Sequence, residues 1–379
     1  MKILKDISTI GIGDIIGTSI TTIFWFYLAS IISPSEFGEI HYIISIASII
    51  SYFTLLGTGN TLTVYIAQNK QIATVLLNFS IIFGIIILIA SLILDFFHIG
   101  LLILGIIIFI YGISRDVARK EFKKYSFNIV LQKGLTAVLA YLGFHFFGIE
   151  GVIYGLAISY FVYSRYVIQD IAKNKIGYNQ IIINLKEIKN NKKFIFTNYS
   201  SMVIQQFTTQ ADKILIVPIL GITILGNYSL AGQIIAILIM LPNIIFKFIL
   251  PNYIDGKISP KLKRNTILLS FVLVFLGVFV SPMFIEEFFE QYTEVIDMIQ
   301  IMSFAVIPIT INQFYFAKFL SKEDGKTPLF GGIISSSIMM SGMIILGTLF
   351  EEIGIAITYL ISYSGLCLFY FLKTKNERV

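Results

Sequence analysis

Apolar runs of similar length, separated by short polar stretches, recur along the whole chain. Twelve can be drawn, at 10–32, 38–58, 72–94, 97–114, 127–147, 151–169, 195–219, 227–249, 266–284, 295–317, 328–348 and 353–371. A helix needs ~20 residues to cross ~30 Å of hydrocarbon, and each run is close to that length. Pro218, Pro242 and Pro308 fall inside runs, which membrane helices tolerate better than soluble ones do. The first run follows "MKILKD" directly and is long enough to span, so it reads as the first helix and not as a cleaved signal. The pattern predicts an all-α integral membrane protein with twelve transmembrane helices.

Composition agrees. Of the 379 residues, 56% are hydrophobic and 13% charged, and the mean hydropathy is +0.85. A soluble protein of this length could not cover its surface with so few polar groups. The single cysteine, Cys367, rules out an intrachain disulfide, and three scattered histidines give no metal-ligand spacing. No cofactor is implied. The net charge of +6 suggests nucleic acid less than it raises the question of where the cations lie.

With the N-terminus placed inside, 26 of the 28 lysines and arginines fall in inner segments or, for Arg165 and Lys247, at the inner ends of their runs, from Lys2 and Lys5 through Arg115–Lys124 to Lys373 and Arg378. The other two, Lys133 and Lys213, fall within spans, and the outer loops carry acids such as Glu36, Glu39, Asp95, Glu150 and Glu286–Glu294. Positive residues mark the cytoplasmic side, so both termini are expected there, in a multi-pass protein of the cell membrane.

The longest connection, residues 170–194, is basic and asparagine-rich. It divides the chain into a bundle of six helices at 1–169 and another at 195–379. Its "IIINLKEI" suits either a short helix on the inner leaflet or a solvated linker. The two halves resemble each other. "EGVIYGLAISY" and "IGIAITYLISY" align on Gly151 and Gly354, sharing Ile158/Ile361, Ser159/Ser362 and Tyr160/Tyr363. "SEFGEIHYI" and "TILGNYSLA" align on Gly38 and Gly226. Both halves start inside, so the repeat is parallel, an architecture of transporters that rock one bundle against the other.

"SPSEFGEIHYI", "LLGTGNTLTVYIAQ", "QADKILIVPILGITILGNYSLA" and the "GIEGVIYGLAISY"/"EEIGIAITYLISY" pair together resemble Wzx-type oligosaccharide flippases. Their superfamily also holds lipid II flippases and multidrug-extrusion antiporters. The resemblance runs over the whole chain. It implies alternating access, inside-to-outside export and a central cavity lined by spans one and seven. The family usually carries an arginine just after span two, where this chain has Val64 and Tyr65.

Span seven carries the candidate chemistry. At 100° per residue, Gln205, Gln206, Thr209, Gln210, Asp212 and Lys213 fall within an arc of roughly 160°. In span one Asp14, Thr18, Thr21, Thr22 and Trp25 share about 100°. Under the repeat, Thr18, Thr21, Thr22 and Trp25 correspond to Gln206, Thr209, Gln210 and Lys213. Matched stripes on equivalent helices suit a water-filled cavity between the halves. Lys213 would attract a phosphate, the glutamines and Thr209 would bond sugar hydroxyls, and Asp212 would hold Lys213 charged or join Asp14 in coupling to a cation, proton or sodium. Alternatively the two charges only join neighbouring helices. Lys133 and Asp14 sit a turn from the inner ends of their spans, where snorkelling also explains them. Asn312 and Gln313 suit an inner vestibule or a helix–helix hydrogen bond equally.

No triad, phosphate loop or metal cluster points to an enzyme. A membrane glycosyltransferase or polymerase, using Glu36 or Glu39, is the rival from another class, but the outer loops are short for an acceptor site. A multidrug antiporter of the same fold would favour acids over Lys213. The expected partners are a lipid-linked anionic oligosaccharide and membrane lipids, with no nucleic acid, and the chain is expected to act as a monomer.

Overall fold

A computed structural model describes residues 2–55, 59–173, 188–243, 245–246, 260–322 and 324–376. All but the last residue of "IIINLKEI" lies outside them. Among the described residues every regular element is helical. Among the described residues seven helices are long and apolar enough to cross a membrane. Helix α4 (Ile72–Ile93) shows why this is a multi-pass membrane protein: Ile82, Phe83, Ile86, Ile89, Leu92 and Ile93 stand exposed along its outer face. Water would penalise such a face, whereas hydrocarbon does not.

Local chemistry sets the element ends. Between α1 (Lys2–Ile31) and α2 (Pro34–Thr54), Ser33 and Glu36 form a capping box. The Ser33 amide and hydroxyl both donate to the Glu36 carboxylate at 2.8 Å, and the Glu36 amide donates back to the Ser33 hydroxyl at 3.3 Å. Pro34 takes the first helical position, where no N–H is needed. Glu36 is thus occupied with a helix start, which leaves the enzyme reading less to work with. The polar stretch after α2 contains a short helix, α3 (Gly59–Ala67), before α4. Next come α5 (Phe97–Ala118) and α6 (Phe122–Tyr160), the latter continued by a 3-10 turn into α7 (Ser164–Lys173).

Helix α6 is two helices joined at Gly148 (φ 60°, ψ −139°). The chain doubles back there, because Gly143 packs on Gly151 and Ala140 on Gly155. Farther along, Thr136 and Ser159 hydroxyls meet at 2.7 Å, joined by the Gln132 amide. The last helix, α14 (Lys326–Asn376), repeats this around Glu351 (φ 49°, ψ −123°). Leu346 packs on Gly354, Gly342 on Thr358 and Gly331 on Tyr370, and the Ser335 and Ser362 hydroxyls meet at 2.8 Å. The sequence alignment of Gly151 with Gly354 pairs Gly148 with Glu351 and Ser159 with Ser362. Each aligned pair therefore does the same job in its own hairpin.

Helix α8 (Lys192–Leu220) has Pro218 in its last turn and stops at Gly221, whose φ of 96° suits glycine. Helix α9 (Ile222–Leu238) follows at once, earlier than the apolar pattern suggested, because that glycine makes the turn. Helix α10 (Pro260–Phe275) passes through a π turn into α11 (Ser281–Phe288). Helices α12 (Val295–Ser303) and α13 (Val306–Ser321) meet at a 40° bend. Pro308 lies four residues after Phe304 at that bend, where its ring crowds the carbonyl and removes a helical N–H donor.

The chain packs as two compact units, each discontinuous in sequence. One comprises Met1–Trp25 and Ile43–Gln210, the other Phe26–Tyr42 and Ala211–Val379. In the second unit the starts of α2 and α9 cross in backbone contact. A Cβ on Gly38 would overlap the Ile222 carbonyl oxygen, and one on Gly226 the Pro34 carbonyl oxygen. These are the two glycines on which the repeat aligned.

Candidate functional site

In the second unit, Asp212 and Lys213 lie about two turns before the C-terminal end of α8. Each is partly buried, with side chains 15% and 24% exposed, and their charged groups approach to 3.5 Å. Adjacent residues on a helix diverge by about 100°, so the sequence left this pairing open. It forms because the aspartate curls back to accept the Lys213 amide at Oδ1, 2.8 Å away. The second carboxylate oxygen accepts the Tyr228 hydroxyl of α9 at 2.7 Å. Tyr359 and Tyr363 of α14, stacked obliquely 4.9 Å apart, lie within electrostatic reach of Asp212, and buried His41 within reach of Lys213. The sequence reading missed all four of these aromatic neighbours. Tyr363, aligned to Tyr160 in the repeat, was the one signal available.

The rest of the span-seven stripe belongs to the first unit. Gln210 accepts the Ser45 hydroxyl at 3.0 Å. Gln205 and Thr209 are exposed and Gln206 is half-buried, with the Thr209 hydroxyl returned to the Gln206 carbonyl at 2.9 Å. On α1, Asp14 accepts the Tyr125 hydroxyl of α6 at 3.2 Å, Thr18 is exposed and Thr22 half-buried. Lys133 lies against α1, its Cγ about where a side chain on Gly17 would go. Asp14, Thr18, Thr21 and Lys133 are therefore brought to one neighbourhood. Thr21 bonds the Gly17 carbonyl at 2.9 Å. Trp25 differs from an open stripe position: it is only 7% exposed and packs on Phe24 at 5.1 Å. Asn312 donates to the Tyr363 carbonyl at 3.1 Å, and Gln313 donates to Asn243, so both make helix–helix bonds.

Two further polar clusters went unread. In the first unit, Arg115, Asp116 and Asp170 are nearly inaccessible at 6%, 0% and 6% exposure. Arg115 donates to Asp170 at 2.8 Å, Tyr111 adds its hydroxyl at 3.0 Å and Arg119 stands at 3.4 Å. Asp116 accepts Tyr163 at 2.9 Å and Asn128 at 3.2 Å. Charge threading counts Arg115 among the inner cations; Asp170, 55 residues further on, is the partner that threading does not show. Nearby, the Lys124 ammonium at 2.9 Å holds the Glu121 carboxyl below its usual range. In the second unit the buried Asn227 amide donates to Glu352 at 2.8 Å and Glu294 at 3.4 Å. Among the described residues no group of three or more His, Cys, Asp or Glu is placed to hold a metal.

Neither a family profile nor a curated protein sequence matches the chain. Solved structures do. A multidrug resistance MATE family transporter of the MOP superfamily, in an inward-facing conformation, superposes with a TM-score of 0.72 at 14% identity, covering 95% of this chain and 94% of its own. The lipid II flippase MurJ, in an inward closed conformation, gives 0.68 at 14% identity, over 98% and 87%. An outward-facing MATE transporter gives 0.63 at 16% identity, over 98% and 95%. The chain has the all-α fold these membrane transporters share.

Proposed function

We propose that the chain is a flippase that moves a lipid-linked anionic oligosaccharide across the cell membrane by alternating access, for assembly of a surface glycan. The topology that goes with this reading has twelve spans, the two hairpins counting as two each, and both termini in the cytoplasm. The Lys213 arrangement carries the reading. Asp212 is engaged by Tyr228 and a backbone amide, so it can hold a charged lysine in place while part of that lysine stays accessible. An ammonium so placed suits a phosphate or pyrophosphate. Along the same helix Gln205, Gln206, Thr209 and Gln210 offer uncharged donors and acceptors for sugar hydroxyls. Asp212 is also the group on α8 that a coupling proton or sodium would meet.

A second reading has one specific observation behind it. A carboxylate among Tyr228, Tyr359 and Tyr363 is a setting that a cationic aromatic compound would favour. The chain would then be a multidrug antiporter. Charge substitutions separate the two. Lys213→Met should lower glycan export about tenfold or more, the loss of one charge-assisted contact, at unchanged protein level in the membrane. Asp212→Asn keeps an acceptor for Tyr228. If Lys213 binds substrate, the double change Asp212→Asn with Lys213→Met stays defective. Recovery of export in the double variant would reject the binding role and make both charges a structural pair. Drug efflux that survives Lys213→Met but not Asp212→Asn would favour the antiporter.

A further inference from the structure

The first unit has a polar cavity of about 260 Å³, lined by Asn69, Lys70, Gln71, Thr74, Tyr111, Arg119 and Asp170 among others. It is smaller than the ~300–1,000 Å³ pockets that hold drug-sized ligands. We propose that it is a binding site for a phosphate ester anion, separate from the Lys213 region and independent of the transport reading.

Two features of the lining point to an anion. Lys70 and Arg119 supply two cations. Arg119, with its side chain 42% exposed, touches Asp170 through one nitrogen at 3.4 Å, which engages little of a five-donor fork. The carboxylate in the lining, Asp170, is already neutralised by Arg115 at 2.8 Å and bonded by Tyr111 at 3.0 Å, so its repulsion is largely cancelled. The first turn of α4 borders the same space through Ala73 and Thr74.

The cations are also held in place. Helix α3 ends in a Schellman motif: Lys70 N–H bonds the Tyr65 carbonyl at 2.9 Å, Asn69 N–H bonds Ile66 at 3.0 Å, and Asn69 takes a φ of 53°. That closure fixes the backbone of Lys70, whose ammonium lies 5.5 Å from the Tyr65 ring centroid. The lining residues lie in the connections on the basic face of the charge threading, with Ala73, Thr74 and Tyr111 at the adjoining ends of their apolar runs. Two sources meet such a site there: the phosphodiester of an acidic inner-leaflet lipid and a soluble phosphate ester. The shared chemistry is the phosphate dianion or monoanion.

The test uses the whole purified chain in neutral detergent, in two arms. Native mass spectrometry compares retention of phosphatidylglycerol with phosphatidylcholine of the same chains, and phosphorus NMR line broadening follows inorganic phosphate. Wild type should retain phosphatidylglycerol, bind phosphate, or do both. Lys70→Gln should weaken that binding about tenfold, and Lys70→Gln with Arg119→Gln should abolish it. Lys70→Gln leaves the Arg115–Asp170–Arg119 pairing intact, so an unchanged melting temperature separates loss of the site from loss of the fold. Lys123→Gln, an exposed cation on the same face outside the cavity, should change nothing. Lipid retention without phosphate binding assigns the headgroup, and phosphate binding with the same variant dependence assigns a soluble ester. Equal retention of phosphatidylcholine, equal loss in Lys123→Gln, or binding in neither arm would overturn the site.

Discussion

Glu351 holds a backbone conformation that L side chains rarely adopt, and its repeat partner Gly148 holds nearly the same one. The difference can be measured. Glu351→Gly should stabilise the protein by about 1 kcal/mol, read as a higher unfolding midpoint in detergent, while Gly148→Ala should cost about 1–2 kcal/mol. A Cβ on Gly148 meets nothing within 4 Å, so any loss there comes from backbone conformation and not from crowding. Glu351→Gln serves as control, since it removes the charge beside Glu294, Asp297 and Glu352 but keeps the strained φ. The buried Arg115 makes a second case. Asp170→Ala removes the acid nearest its guanidinium but leaves Asp116 at 3.4 Å and Glu121 at 3.8 Å, so it should cost about 1–3 kcal/mol, whereas Arg115→Met, which leaves both buried acids Asp116 and Asp170 without that cation, should cost more in the same melting assay. At this scale the sequence was partly legible. Lys213 and Asp212 announce themselves because charge inside an apolar run is conspicuous. Tyr228 and Tyr363, which surround them, look like any other amphipathic aromatic in a membrane helix, and Asp170 sits in a basic linker where one acid draws no notice.

Helices were legible as existence more than as boundary. Hydropathy finds where hydrocarbon is crossed, but Gly221, the Ser33–Glu36 box and the one-residue turns at 148 and 351 decide where each helix stops, and these signals are local stereochemistry. The crossing of α2 and α9 is an element-level consequence of two glycines that the repeat picked out by identity alone. Gly38→Ala and Gly226→Ala each drive a methyl into an opposing carbonyl, so the helices must separate. Each should cost about 1–3 kcal/mol in thermal unfolding. Gly232→Ala in α9, where a Cβ meets nothing within 4 Å, should be neutral or slightly stabilising. Equal effects at all three positions would mean that the close approach does not determine stability.

For the whole molecule, the charge pattern makes the topological prediction. In a Cys367→Ser background, a cysteine at Asn190 should stay shielded from an impermeant thiol reagent in intact cells, and one at Gln291 should be labelled. Both positions are exposed, so packing does not confuse the readout. Labelling at Asn190 would reverse the orientation. The fold class was legible from periodic hydropathy and the repeat, because bilayer thickness disciplines every span. What the chain acts on was not: Asp212 and Lys213 offer one charge of each sign.

The hairpin at Gly148 also bears on how the protein is made. With a single residue at the bend, the two paired apolar segments have no polar loop between them that could be held apart while the second one is synthesised. A photocrosslinker placed within 127–147 should therefore stay in contact with the insertion channel in ribosome-bound chains until they have grown far enough for 151–169 to emerge, and then lose that contact in one step. The two spans would enter the bilayer together, as one cotranslational event.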